Sequence, residues 1–547
     1  MNFVNRMKIG YLRAQRDWRL LNLTKKVAAK SHPRSVQKPV LMFNASTRLG
    51  GFSQNAAFSL LTSWGLQLAG VPVVHFACRA GMSRCVLGTN PDDYAAAPPC
   101  KVCIAQSKKL YSSAPVRWFD YQSNNELFNV IKDLSLETLS TFEFKPDGTN
   151  LSFNGVSIPL GDLVLSSLRW ALRRYHLQDD EPTRYLLREY VLSAYRVAEA
   201  FDQVLDEVEP KVAVIFNGLQ FPEAIAKWVA KRRGIRVITY EVSFTPFSAF
   251  FTDGEATAYP IKISETFKLS PEQDAKLDNY LRQRFKGDFT MAGIRFWPEI
   301  NGLNDDFLSR AGQFKQIVPV FTNVIFDTSQ KHANVVFPHM FAWLDSILEV
   351  IRKHQETLFV IRAHPDEKRP GTRKQARESV SDWVDKNKVS DLNNVIFYDS
   401  NEYINSYELI KKGKFIAIYN SSIGLEATIL GVPVLCGGKA RFTQYPIVFF
   451  PKSIEAYSRK MEQFLDKDTI SLPEEFVDNA RKFLYHQLFK VSLPFGEFLE
   501  AHPTPGYVQL KRFSWKKLRP EHSETIKVIT EGILNRKPFV MPDRLED

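Results

Sequence analysis

Two short segments combine residue types that could grip a phosphate. The first is Tyr419-Asn420-Ser421-Ser422-Ile423-Gly424-Leu425-Glu426-Ala427. An apolar strand ends at Tyr419, polar caps open a helix to about Leu430, and Gly431-Val432-Pro433-Val434 begins the next strand. Free backbone N–H groups at a helix start, beside two hydroxyls, suit an anion. Gly424 would let a ligand approach closely. Glu426 lies four residues after Ser422, so both face one side of the helix. The Ser-x-x-Glu spacing of a capping box fails from either serine. That frees Glu426 to accept from ribose hydroxyls. Without a ligand, the same residues make a serine N-cap with an exposed glutamate. The second segment is Arg362-Ala363-His364-Pro365, closing the strand Leu358–Ile361. Pro365 forces His364 into an extended conformation. Arg362 and His364 alternate about Ala363, so both could project into a crevice, where guanidinium and imidazole suit a mono- or diphosphate. A surface arginine beside a backbone-bonded histidine fits the same letters.

These segments sit at strand ends of a βαβ series. Strands are predicted at 317–321, 358–362, 395–398, 415–419 and 432–436, separated by helices over 341–354 and 373–386. An earlier series has strands at 39–43, 71–76, 212–216 and 237–240, a helix over 53–68 and another around 224–232. Residues 104–208 between them show helical spacing. The fold class is therefore α/β, with two doubly wound Rossmann-like domains, a helical insert and helical termini. The predicted organisation is a basic arm at 1–38, a first domain at 39–250, a connector at 251–314, a second domain at 315–455 and a helical segment at 456–547. In such folds ligands bind at the carboxyl ends of the strands, in the crevice between domains.

Arg-Ala-His-Pro, then Asn-Ser-Ser-Ile-Gly-Leu-Glu-Ala, then Gly-Val-Pro-Val resembles the donor half of bacterial capsule-polysaccharide-synthesis glycosyltransferases, over roughly residues 315–450. The His-Pro and Ser-Ser pair also resembles motifs of bacterial sialyltransferases. The resemblance implies a GT-B fold with a nucleotide sugar held by the second domain. His364, Ser421 and Ser422 would hold phosphate and Glu426 the ribose, with Arg362, Asn420 and Gly424 in the same donor site. A glycan or glycolipid would be the acceptor.

An inverting transferase needs a base to deprotonate the acceptor hydroxyl. Glu241, at a strand end of the first domain, is the first candidate and Asp327 the second; a strand-end ion pair explains Glu241 equally well. Arg48, Gly50 and Gly51 follow the first strand and would face the cleft, as would Asn217 and Asn323. A plain turn also accounts for Asn323 and Asp327. The single Asp-x-Asp triplet, Asp466-Lys467-Asp468, lies at a helix end, so no metal cofactor is expected for catalysis.

Four of five cysteines follow the pattern Cys78-x6-Cys85-x14-Cys100-x2-Cys103. The closing Cys-x2-Cys suits a structural tetrahedral zinc. An iron–sulfur cluster uses the same ligands, and reduced thiols or disulfides are the simpler alternatives.

The 547-residue chain carries a net charge of +12, with 44% hydrophobic and 24% charged residues. That is enough apolar content for two cores. Residues 1–38 hold ten basic side chains and one acid, Asp17. The body is thus close to neutral, which speaks against a nucleic-acid-binding role for the arm and cysteine cluster. The arm also carries Trp18, Leu20, Leu21 and Leu23, the pattern of a basic amphipathic helix on an anionic membrane surface; a solvated helix packed on the body is the alternative. No run approaches the roughly 18 apolar residues of a spanning helix. Charges interrupt each apolar run of the arm, so it does not resemble a signal peptide. The expected location is cytoplasmic, peripheral on the inner face of the membrane. Alternative activities on the same fold are UDP-sugar 2-epimerisation and polyol-phosphate transfer.

Overall fold

The computed structural model describes residues 3–34, 37–45, 52–286, 290–291, 294–295, 301–368, 375–503 and 506–543. Side chains are described from residue 16 onward.

The first sheet contains β1 (Val40–Asn44), β2 (Val73–Cys78), β3 (Val116–Phe119), β4 (Val212–Phe216), β5 (Arg236–Val242) and β6 (Ser248–Thr252). The second contains β7 (Gln316–Phe321), β8 (Thr357–Arg362), β9 (Val395–Tyr398), β10 (Ile416–Ile418) and β11 (Val434–Cys436). A last strand, β12 (Leu493–Pro494), returns to the first sheet. The strand orders are β12-β6-β5-β4-β1-β2-β3 and β9-β8-β7-β10-β11. Within each, the five strands from β1 to β5 and from β7 to β11 run parallel. Strands covered on both faces need apolar residues at successive positions. Accordingly all six residues of β8 are buried, as are Val212–Ile215 of β4.

The helices that matter here are α1 (Phe3–Lys30), α2 (Gln54–Leu68), α3 (Cys100–Leu110), α4 (Leu160–Leu172), α5 (Glu181–Val208), α6 (Glu223–Arg232), α7 (Pro271–Phe285), α8 (Met340–Lys353), α9 (Ile423–Ile429), α10 (Glu474–Tyr485) and α11 (Glu524–Asn535). Leu23 and Val27 of α1 are buried in the core that contains Phe58 and Trp64 of α2, while Trp18 is 65% exposed. Among the described residues no helix is long and apolar enough to cross a membrane.

Three expectations need revision. The segment 456–547 is not helical to its end. After α10 the chain crosses back, pairs β12 antiparallel with β6, forms the hairpin Leu499–Ala501/Val508–Leu510, and lays α11 on α2. An edge strand such as β6 leaves a row of unpaired backbone groups, which β12 covers. Apolar residues of the returning chain, including Phe495, Phe498, Ile526 and Ile529, join the first domain's core. The boundary at 250 also falls inside β6, and residues 104–208 include β3 as well as helices.

In the second domain, Trp343 of α8 is fully buried and donates its Nε1–H to the Tyr457 hydroxyl at 2.8 Å. Removing that oxygen strands a buried donor. Tyr457→Phe should therefore destabilise the protein by about 1–3 kcal/mol, measured as a lower urea midpoint with unchanged slope.

Candidate active site

Strand order reverses between β7 and β10, and again between β1 and β4. Helices leave the sheet on opposite sides there, so the carboxyl ends of those strands stay uncovered. In the second domain this point is marked by two asparagines. Asn323, just past β7, donates from Nδ2 to Asn420 Oδ1, just past β10, at 2.6 Å. Asn323 Oδ1 accepts the Val324 N–H at 2.8 Å. The structure thus joins two residues that sequence spacing singles out separately.

The loop after Asn420 differs from its expected form. Ser422 has helical backbone angles (φ −61°, ψ −19°) and its side chain makes no capping bond. Ser421 is buried. The helix that follows, α9, has only seven residues. Gly424 is required by the protein itself and not by a ligand: a Cβ there would lie 2.4 Å from Ile418 Cδ1 of β10 and 3.3 Å from Phe442 and Val434. Glu426 is not exposed on the helix surface. It is 4% exposed, its Oε1 accepts from Arg284 of α7 at 2.6 Å and its Oε2 from the Tyr407 hydroxyl at 2.5 Å. Both oxygens are taken, which leaves no obvious place for a ribose. Arg284 also donates to the Tyr280 hydroxyl at 3.2 Å.

Arg362 and His364 are likewise drawn inward. Arg362 is 3% exposed and donates from Nη1 to the carbonyls of Ala363 and Asp399, at 3.2 and 2.7 Å. It does not project into a crevice as expected: burial lowers its pKa to about 10, with Glu402 and Asp399 opposing. His364 has the extended backbone (φ −71°, ψ 133°) that a following proline demands. It is half-buried, and its Nδ1 accepts the Asp366 N–H at 3.1 Å.

On the facing domain, Asn217 follows β4 in a left-handed conformation (φ 60°), and its Oδ1 accepts the N–H groups of Leu219 and Gln220 at 3.0 Å. Its Nδ2 donates to Glu241 Oε2 at 2.7 Å, while Glu241 Oε1 accepts the Val242 N–H at 2.8 Å. Burial raises the Glu241 pKa to about 7; the two hydrogen bonds oppose the rise and the Asp327 charge adds to it. The two acid candidates, from different domains, therefore sense each other. Asp327 is exposed, in a turn where its Oδ1 accepts the Ser329 N–H at 2.8 Å. It lines a cleft of about 270 Å³ between α4 (Asp162, Ser166, Arg169) and the segment Ile325–Pro338.

Lys331 lines this cleft, and further cationic side chains that the sequence reading missed interact with Asp327 or with His332 next to it. The guanidinium of Arg441 stacks over the Phe244 ring at 4.4 Å and lies 5.4 Å from the Tyr259 ring. Burial lowers the Arg441 pKa, while Tyr259 and then Asp327 are among the groups opposing that shift. Lys331 pairs with Asp162 across the domains at 2.7 Å, and Lys227 pairs with Glu255 at 2.8 Å. Lys439 is exposed and has no ion-pair partner among the described residues. Burial lowers the His332 pKa, with Lys227, Lys439 and Lys331 contributing. The available signal was Gly437-Gly438-Lys439-Ala440-Arg441, a glycine-and-base loop directly after β11.

Arg48, Gly50 and Gly51 lie outside the described residues. Cys78, Cys85, Cys100 and Cys103 line one hollow of about 30 Å³, too small for a sugar. Burial pushes the Cys78 and Cys85 thiols up to about 12, unlike reactive thiolates. Among the described residues, no three or more His, Cys, Asp or Glu side chains stand as a formed metal-binding group.

The buried pair Arg284–Glu426 joins the connector helix to the second sheet domain. Breaking such a pair leaves a charge uncompensated. Glu426→Ala should lower stability by about 3–5 kcal/mol in chemical unfolding even without nucleotide.

Residues 299–447 match the model of a family described as capsule polysaccharide biosynthesis protein. No curated protein sequence matches the chain. Three solved structures are among those the chain matches. The Thermosulfurimonas dismutans KpsC beta Kdo 2,4 transferase is 11% identical, covering 55% of this chain and 84% of that one at a TM-score of 0.33. The beta Kdo 2,7 transferase of the same protein is 12% identical, covering 62% and 90% at 0.31. The UDP-GlcNAc 2-epimerase of Neisseria meningitidis, bound to UDP-GlcNAc, is 12% identical, covering 83% and 99% at 0.23. Likeness at this level carries no weight for activity or substrate. Residues 299–447 are thus similar to the capsule polysaccharide biosynthesis proteins, over the part of the chain where the loops carry that resemblance.

Proposed function

We propose that the chain is a glycosyltransferase that moves a sugar from a nucleotide-sugar donor to a surface-glycan or glycolipid acceptor. The observation that carries this reading is the raised carboxyl of Glu241, which senses the charge of Asp327 on the other domain, a residue that lines the cleft within the stretch matching the capsule-synthesis family.

In this reading the nucleotide rests on the second domain, at Asn323, Asn420, Ser421, Ser422 and His364. Lys439 and Arg441 offset the charge of the departing diphosphate without a catalytic metal. The acceptor lies on the first domain, near Asn217. Its hydroxyl oxygen attacks the anomeric carbon, the bond to the nucleotide phosphate breaks, and Glu241 takes the hydroxyl proton. Asn217 orients that carboxylate. A base with a pKa near 7 is well matched to neutral pH. Arg284, Tyr407 and Glu426 then support the site from behind. The basic helix α1 rests on an anionic membrane, with Trp18 and Leu21 exposed for insertion.

The Glu241 pKa is raised, so its carboxyl is protonated and inactive at low pH. Activity, measured as kcat/KM against pH, should rise through about pH 7. Glu241→Gln should lower kcat by roughly 10²–10⁴-fold and remove that limb while nucleotide binding, followed by thermal shift with UDP, GDP, CMP and CDP, persists. For stability the sign is opposite: the folded state holds this proton above the unfolded pKa of 4.5, so its contribution declines as pH rises from about 4.5 to about 7. Full activity in Glu241→Gln would remove the base assignment. Donor turnover without any acceptor would favour the epimerase alternative.

Vesicle cosedimentation tests the helix. The protein should pellet with vesicles containing anionic lipid and not with zwitterionic ones, and Trp18→Ala should weaken the effect.

A further inference from the structure

We propose that Cys78, Cys85, Cys100 and Cys103 bind one structural zinc ion that pins an irregular insert to the first domain. Between the end of β2 at Cys78 and the start of α3 at Cys100, residues 79–99 form no strand or helix. Loops of this length need a staple or a function. Only Met82 and Val86 of the insert are buried apolar side chains. That is a thin anchor for the backbone it must order.

Two turns of the insert share one sequence pattern. Cys78-Arg79-Ala80-Gly81 and Cys85-Val86-Leu87-Gly88 both read Cys-x-x-Gly. In the first, the Gly81 N–H donates to Cys78 Sγ at 3.1 Å, and Ala80 takes a left-handed conformation (φ 57°). In the second, the Gly88 N–H donates to the Cys85 carbonyl at 3.1 Å. Glycine is needed at both turns for close approach. A Cβ at position 81 would lie 2.2 Å from the Phe119 ring, and one at 88 would lie 2.7 Å from Pro98 and 3.1 Å from Cys85 Sγ. Amide donors aimed at sulfur stabilise thiolate ligands and orient them.

The second pair sits on a regular element. Cys100 and Cys103 open the eleven-residue helix α3, so both lie one turn apart on one side. All four residues line the same hollow, with Ala45, Met82, Leu87 and Pro98. A tetrahedral tetrathiolate matches the ligand number, ligand type and closing Cys-x-x-Cys. In this structure the four thiols line the hollow without forming a closed shell; zinc would draw them together, and its binding would contribute directly to folding. The remaining cysteine, Cys436, is buried in the second domain and donates to the Tyr419 and Gly438 carbonyls. It takes no part.

The insert also reaches the other domain. Arg377 Nη1 donates to the Pro91 carbonyl at 3.1 Å, and its Nη2 pairs with Asp92. An ordered insert therefore helps set the closure of the cleft. Zinc would act on the site at a distance, with no role in bond breaking.

Full-length protein purified without chelator should contain about one zinc per chain by elemental analysis. Cobalt exchanged into it should give the visible and near-ultraviolet bands of tetrahedral thiolate coordination. Cys100→Ser with Cys103→Ser should lose the metal and lower the melting temperature, whereas Cys436→Ser should keep the metal. Thiol reagents should label the cluster slowly until a chelator is added. Wild-type protein that is metal-free and takes up no cobalt would overturn the proposal, as would bound iron with visible absorption or two disulfides found by mass mapping.

Discussion

Each sheet reverses its strand order at its centre, between β1 and β4 and between β7 and β10. This reversal is the constraint on which the site depends. Right-handed crossovers send successive helices to opposite faces on either side of that point, so no helix can cover both strand ends. Backbone polar groups are left there facing open space. Asn323 and Asn420 fill part of that gap in the second domain by bonding to each other, and Asn217 does so in the first by bonding to its own turn and to Glu241. The two crevices face one another, because Lys331 meets Asp162 and Thr257 meets His332 across the junction.

Chemistry at this junction follows from dielectric setting more than from residue identity. Glu241 is held by two donors that would ordinarily favour its charged form. Burial and the facing Asp327 outweigh them, and the carboxyl rises to about 7. Glu426 sits in a different setting. It is more buried than most carboxylates, yet the Arg284 guanidinium beside it compensates its charge. One acid keeps a proton up to about neutral pH, and the other is tied to a guanidinium of the connector helix. The distinction lies in which neighbour arrives from a distant part of the chain.

The return of the chain after α10 ties these parts together. β12 closes the edge of the first sheet and α11 buries its apolar face on α2, while α10 stays with the second domain. Arg481 of α10 meanwhile pairs with Asp274 and Asp278 of α7. The connector is thereby held to the second domain, and the chain crosses back to the first domain near residues 486–492. A π-turn over His486–Lys490 marks that place. Such turns interrupt regular hydrogen bonding where a chain changes direction.

Nine strands announced themselves because doubly covered parallel strands are short continuous apolar runs, and the loops at their ends stood out by their polar letters. The sequence by itself thus determined the α/β class, the two-domain division and the strand-end position of Asn217, Glu241, Asn323, Asp327 and Asn420. It did not reveal β3, Val-Arg-Trp-Phe, whose pattern lacks such a run, nor β6 and β12, which pair antiparallel at an edge. Only the tertiary structure decided which polar residues are available. Gly424 answers to Ile418, Arg362 to two carbonyls, and Glu426 to Arg284, 142 positions away. Arg441 gained its place beside Phe244 and Tyr259 in the same way. Local spacing fixes where a side chain starts, whereas burial and long-range partners, which no window of sequence contains, determine what it can still bind.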